Sequence, residues 1–226
     1  MRILGSLSVV ALALASRSTA AQLVENSIPA ARIGLVAGLN MTKFSGDGLG
    51  PTDNRNGFVG GLTLVTPFTP VFSTQLDLLY AMKGMKSLSS NPANYAVFKL
   101  DYLEIPVMLR ADLPLASPVK PFAFTGPVID FQVSCSGDEV TGGKTISATC
   151  KEIESAFSSG AKFQKLDYGW VLGGGLGFDY HNRRISVGAR YELGLRSVLT
   201  GGSSKNRALS LMASVEAPLP RKTRRQ

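Results

Sequence analysis

The chain has 226 residues, 44% of them hydrophobic, with 24 glycines and only two cysteines. The formal net charge of +8 is concentrated at the ends, since Arg2 and Arg17 fall in the first residues and Arg221, Lys222, Arg224 and Arg225 in the last. The body between them is near neutral and has no basic face interleaved with aromatics, which leaves nucleic-acid binding without support. Residues 1–21 read as a secretory signal: Arg2, an apolar run from Ile3 to Ala15, and small residues closing on Ala20 and Ala21. After that no apolar run reaches the roughly eighteen residues of a transmembrane helix.

From about Ile33 onward the chain alternates with a period of two, the signature of strands. The first strand spans 33–41, with Ile33, Leu35, Ala37, Leu39 and Met41 on one face. A polar loop over 43–56 precedes the second strand at 57–66, and T-P-F-T-P at 66–70 makes a tight reversal. The third strand, 71–83, sets Phe72, Leu76, Leu78, Tyr80 and Met82 against Ser73, Gln75 and Asp77. After a Ser/Asn-rich loop at 84–94, the fourth begins near Tyr95. It puts Leu103, Ile105, Val107, Leu109, Ala111 and Leu113 opposite Tyr102, Glu104, Pro106, Met108, Arg110 and Asp112. The fifth covers 119–133, where Pro127 suggests a bulge or unusual pairing. Residues 134–165 form a long non-periodic segment. The sixth strand spans 167–180, the seventh 184–196 after the turn at His181, Asn182 and Arg183, and the last is centred on Leu209 to Glu216 beyond a loop at 201–206.

Eight strands with short turns and long polar loops alternating predict an all-β fold, an eight-stranded antiparallel up-and-down transmembrane β-barrel. Strands that cross lipid must close on themselves, because an unpaired backbone edge has no partner there. The divisions are a leader at 1–21, a short periplasmic segment at 22–31, the barrel at 32–217 and a basic disordered tail at 218–226. The short turns and both mature termini are expected on the periplasmic side, and the loops after the first, third, fifth and seventh strands outside. A barrel of eight strands is just wide enough to be filled by side chains. Asp77, Glu104, Arg110, Asp112, Asp130, Arg190, Glu192, Arg196 and Glu216 share the inward face, and their mixed sign predicts a cross-linked ion-pair network in place of a conduit.

The runs D-Y-L-E-I-P-V-M-L-R-A-D at 101–112 and K-P-F-A-F-T-G-P-V-I-D at 120–130 resemble the porin-like outer-membrane β-barrel family, as do W-V-L-G-G-G-L-G-F-D-Y at 170–180 and R-I-S-V-G-A-R-Y-E-L-G-L at 184–195. The resemblance spans about residues 30–217. It implies an eight-stranded barrel in a Gram-negative outer membrane, and it brings no catalytic residues and no cofactor. Such barrels usually end in an aromatic that assists insertion, whereas this chain ends S-V-E-A-P-L-P and a basic tail. The implied partners are outer-membrane lipid or lipopolysaccharide, the barrel-insertion machinery during biogenesis, and an extracellular ligand of the loops.

Cys135 and Cys150 bracket part of the longest loop, and in an oxidising compartment a disulfide closing it is worth about 3 kcal/mol on the entropy model. Two free thiols or a metal pair are the alternatives, but no histidine lies nearby to complete a metal site. Gly143-Lys144-Thr145 is a near miss for a phosphate loop, because Asp138 stands where the first glycine belongs. His181, the single histidine, has Asp179 and Ser186 close in sequence, the residue types of a hydrolase or acyltransferase set, but its place between two strands reads as a turn. Glu104 and Glu192 read as ion-paired in preference to a glycosidase pair. The expectation is a non-enzymatic surface barrel whose loop at 134–165 is the candidate binding element. A small-solute porin is the main rival, and a barrel-embedded lipid enzyme or a soluble lipid-binding barrel with inverted faces are further ones.

Overall fold

The computed structural model describes residues 28–46, 52–91, 93–115, 117–156 and 160–220; the leader at 1–21 and residues 221–226 of the tail lie outside them. The start expected for that tail, Pro218, is instead the last residue of a strand, and Leu219 bonds back to Ala31. Among the described residues nine strands form: β1 Arg32–Ser45, β2 Thr52–Pro67, β3 Phe72–Leu88, β4 Tyr95–Asp112, β5 Val119–Thr141, β6 Lys144–Thr149, β7 Leu166–Tyr180, β8 Arg183–Ser197 and β9 Lys205–Pro218, with one helix, α1 Cys150–Ala156. All pairings are antiparallel, and each barrel strand pairs with its sequence neighbour. Pairing of β1 with β9 closes the ring at eight strands. β6 bonds only to β5, above the ring.

The alternation sorts side chains as a lipid-facing barrel requires. On β4, Val107 and Leu109 are exposed while Tyr102, Glu104, Met108 and Arg110 are buried. Leu35, Leu39, Leu62, Leu76, Leu172, Val187 and Leu211 join the outer belt. A soluble barrel would reverse these faces, so the inverted reading fails. The short turns gather at one end. His181 and Asn182 carry positive φ (42° and 61°) between Tyr180 and Arg183, the two-residue geometry that matches strand twist. Both described termini lie at this end, where Leu219 donates to the Ala31 carbonyl at 2.7 Å.

Several boundaries differ from expectation. β1 and β2 extend into the segment expected to be a loop at 43–56, β3 runs on to Leu88, and β9 starts at Lys205. These extensions lie above the hydrophobic belt, where neither face need be apolar and the alternation fades. Pro127 causes no bulge: β5 keeps one register with β7 from Val119 to Phe131. The shift on β5 falls instead between the pairs of Asp101 and Tyr102, at Val133. The segment 134–165 is largely regular. β5 continues to Thr141 and turns at Gly142 and Gly143, both left-handed (φ 57° and 78°), into β6 and then α1. The near-miss phosphate loop is therefore a hairpin turn.

Leu39, 67% exposed in the belt, offers a direct check. Leu39→Arg should destabilise the barrel in lipid vesicles by about 2–4 kcal/mol, and Leu39→Ala by much less, read from urea unfolding.

Candidate functional site: the filled lumen and its loop-side cap

Five side chains meet at the centre of the barrel. The Lys83 ammonium lies 2.8 Å from Glu104, 2.9 Å from Asp130 and 2.5 Å from Glu192. Arg190 reaches Glu104 at 2.7 Å and Glu192 at 3.9 Å. All five are essentially sealed from solvent. Glu104 and Asp130 are direct partners across β4 and β5, so two carboxylates are held side by side and a cation between them is a structural need. Oxygens of Glu104, Asp130 and Glu192 lie within 4.8 Å of one another, a spacing that could hold a metal ion. Here the Lys83 ammonium takes that place.

A second layer lies toward the turns. Arg110 makes a forked contact with Asp112 at 3.1 and 3.0 Å, donates to Gln75 at 3.1 Å, and stacks on the Phe122 ring at 3.9 Å. Arg184 also reaches Asp112, at 2.7 Å, and Arg32 holds Glu216 at 2.8 Å. Asp77 accepts from Gln75 at 3.1 Å. Between the layers is a cavity of about 40 Å³ lined by Thr63, Asp77, Arg110, Ser186 and Arg190, room for a few waters and no solute.

Of the residues expected to face inward, Arg196 is misplaced. It sits at the loop-side end of β8 and donates to the Leu166 carbonyl at 3.1 Å and to Gln164 at 2.9 Å, with no acid beside it. Arg196 keeps the parity of Arg190 and Glu192, with Leu195 exposed beside it, but it lies past the register shift between Leu193 and Ser197, at the strand end beyond the buried acids. Lys83 is a central residue absent from the expected inward set, although it shares the parity of Gln75 and Asp77. Arg55, bonded to the Lys83 carbonyl and 3.5 Å from Asp101, lies within the span expected to be a loop.

Above the charges lies an apolar plug of Phe44, Met85, Leu100, Tyr102, Cys150, Phe163 and Val198. Cys150 belongs to α1 and is disulfide-bonded to Cys135 of β5, with a Cα–Cα separation of 5.5 Å. The continued β4–β5–β6 sheet forms a wall beyond the barrel mouth. β5 has 23 residues, against the 9–11 or so a tilted strand needs to cross lipid. α1 packs on the inner face of that wall at Gly137, where an added Cβ would meet Ile153 Cδ1 at 2.8 Å. Thr149 caps α1, with its N–H and hydroxyl donating to Glu152 at 2.6 and 2.8 Å. A cavity of about 320 Å³ opens between helix and wall, lined by Ala96, Phe98, Glu139, Ile146, Ala148 and Ile153. On the outer face, Asp138 pairs with Lys99 and accepts from Ser147 at 2.9 Å.

Two cap carboxyls lie below their ordinary values: Glu152, through the Thr149 donors, and Asp138, through Lys99 and then Ser147. The hydrolase set does not assemble. The His181 ring meets Tyr180 edge-on at 4.1 Å, Asp179 accepts from Lys120 at 2.6 Å, and Ser186 is buried in the lumen.

Residues 20–200 match the outer membrane protein beta-barrel domain family. The chain belongs to that family. Membership places it in the bacterial outer membrane. Its fold is similar to Neisserial surface protein A (16% identity, 83% of this chain and 97% of that one, TM-score 0.49). It is also similar to OprG of Pseudomonas aeruginosa (12%, 86% and 99%, TM-score 0.48) and to Ail, the attachment invasion locus protein of Yersinia pestis (14%, 84% and 99%, TM-score 0.43). No curated protein matches the chain.

Two tests apply to this outer-membrane barrel. Lys83→Met removes the cation from three buried carboxylates and should cost about 3–5 kcal/mol, seen as a lowered urea midpoint in vesicles. The pH dependence of the cap has a definite sign. Both lowered carboxyls bind fewer protons folded than unfolded, so their stabilisation is complete above the ordinary carboxylate range and is lost as pH falls through their native values. Amide-exchange protection at residues 150–156, corrected for the intrinsic pH dependence of exchange, should therefore fall on acidification with the disulfide intact, and Glu152→Gln should flatten that response.

Proposed function

We propose that this chain is a non-enzymatic outer-membrane barrel that is closed to solutes and presents its disulfide-tied cap outside the cell for surface interaction. The observation that carries the reading is a division of labour along the barrel axis. Two charged layers and an apolar plug fill the lumen, while β5, β6 and α1 stand beyond the mouth as an ordered structure. A surface element that is rigid before binding loses little conformational entropy on contact, which favours recognition.

Orientation follows the same logic. The short turns and both described termini share one end, and that end is assigned to the periplasm, with the cap outside. Small-solute transport, the rival reading, has no support from an internal cavity of about 40 Å³. A lipid hydrolase would need His181 beside a nucleophile and an acid, and those groups are separately engaged.

An epitope inserted between Gly142 and Gly143 tests the reading. Antibody should label intact cells at the level seen after permeabilisation; labelling only after permeabilisation overturns the orientation. The refolded protein and its His181→Ala variant should release the same background product from phospholipid and from a p-nitrophenyl ester. A clear loss in the variant would establish an enzyme.

A further inference from the structure

We infer that the outer face of β1 and β9, at the loop-side edge of the hydrophobic belt, is a docking strip for the phosphate groups of the outer leaflet's glycolipid. The inference rests on the orientation proposed above. Lys43 and Arg207 are direct partners across the β1–β9 ladder, and Lys205 lies two residues further along on the same face, opposite Ser45. These positions continue the lipid-facing parity. Leu39 and Met41 lead to Lys43, and Leu211 and Leu209 lead to Arg207. Lysine and arginine stems can cover apolar surface while their heads reach the headgroup level.

Like charges placed directly opposite in a ladder repel each other. Elsewhere at this level the protein avoids that arrangement, since Lys99 is paired with Asp138 and Lys86 sits on the Tyr95 ring at 4.0 Å. Among the described residues, Lys43, Lys205 and Arg207 have no acidic partner. The acid on the adjoining strand, Asp53, turns its carboxylate onto the Asn54 N–H at 2.7 Å. Arg207 is also held in place: Nη1 donates to the carbonyls of Gly194 at 2.7 Å and Asn206 at 3.1 Å. Three cations, one of them fixed by backbone, thus line a short strip where the belt ends. An anion spanning it would relieve the repulsion, and in the outer leaflet that anion is a phosphorylated sugar headgroup.

The test uses full-length mature protein refolded in micelles carrying phosphorylated lipid A, its dephosphorylated form or phosphatidylglycerol, with retained lipid counted by native mass spectrometry. The protein should retain phosphorylated lipid A well above the other two. Combined Lys43→Gln, Lys205→Gln and Arg207→Gln should abolish the preference, each side chain contributing about fivefold. The pair Lys86→Gln and Lys99→Gln should leave it intact. Heat-dependent gel mobility verifies that each variant is folded, and any single substitution that folds serves if the triple does not. Equal retention of the dephosphorylated lipid, or an unchanged preference in the variant, overturns the inference. Retention of phosphatidylglycerol at the same level overturns the assignment to the outer-leaflet glycolipid. An epitope that labels only permeabilised cells, with lipid A preference intact, would defeat the orientation alone and leave the strip standing as a phosphate site.

Discussion

An ammonium group with three carboxylates around it, cut off from solvent, holds the interior of this barrel together. Closing eight strands on themselves satisfies every backbone group in the wall, but it turns the apolar side chains outward and leaves the polar ones facing each other in a narrow tube. Such a tube can be neither dry and unpaired nor wide enough to be fully wet. Lys83 resolves the conflict. Standing on β3, it reaches carboxylates from β4, β5 and β8, tying four strands across the lumen instead of along the wall. Arg190 adds a second cation to two of the same acids, and Arg110 organises the layer below it.

Space for these long side chains comes from the sequence of β7 and β8. At Gly177 an added Cβ would lie 2.5 Å from Arg184 Nε, and at Gly173 it would meet the Phe124 ring at 2.6 Å. The G-G-G-L-G run on β7 is therefore the complement of bulky groups on neighbouring strands. Sealing at the other end depends on the disulfide. By fixing α1 to β5, it places Cys150 in the plug with Phe44, Leu100 and Val198, so the cap structure and lumen closure are one assembly.

How far the sequence reveals this depends on where each residue sits relative to lipid. Within the belt, apolar and polar residues must alternate, and the strands there are legible to within a residue or two, Pro127 included despite its suspicious look. Asp77, Glu104, Arg110, Asp130, Arg190, Glu192 and Glu216 are recognisable as inward from parity alone. Above the belt the constraint lapses. β6 reads K-T-I-S-A-T with both faces half-polar, and only Gly142-Gly143, between Val140-Thr141 and Lys144-Thr145-Ile146, signals a hairpin. Arg196 has the inward parity but stands beyond the acids, bonded to Gln164 and the Leu166 carbonyl, so parity alone does not say which inward residues pair. Lys83 shows a different failure, since a lone lysine at the end of an apolar strand reads as a boundary marker until the three acids around it are placed in space.

The central claim is that the lumen is filled, and single-channel recording of the refolded mature protein in a planar bilayer tests it most directly. A heat-dependent gel shift first establishes that the barrel in the sample is folded. The paired layers and plug predict a folded protein that gives no steady conductance at any applied voltage. Reproducible current steps from that same folded sample would contradict the account and make transport the function to pursue.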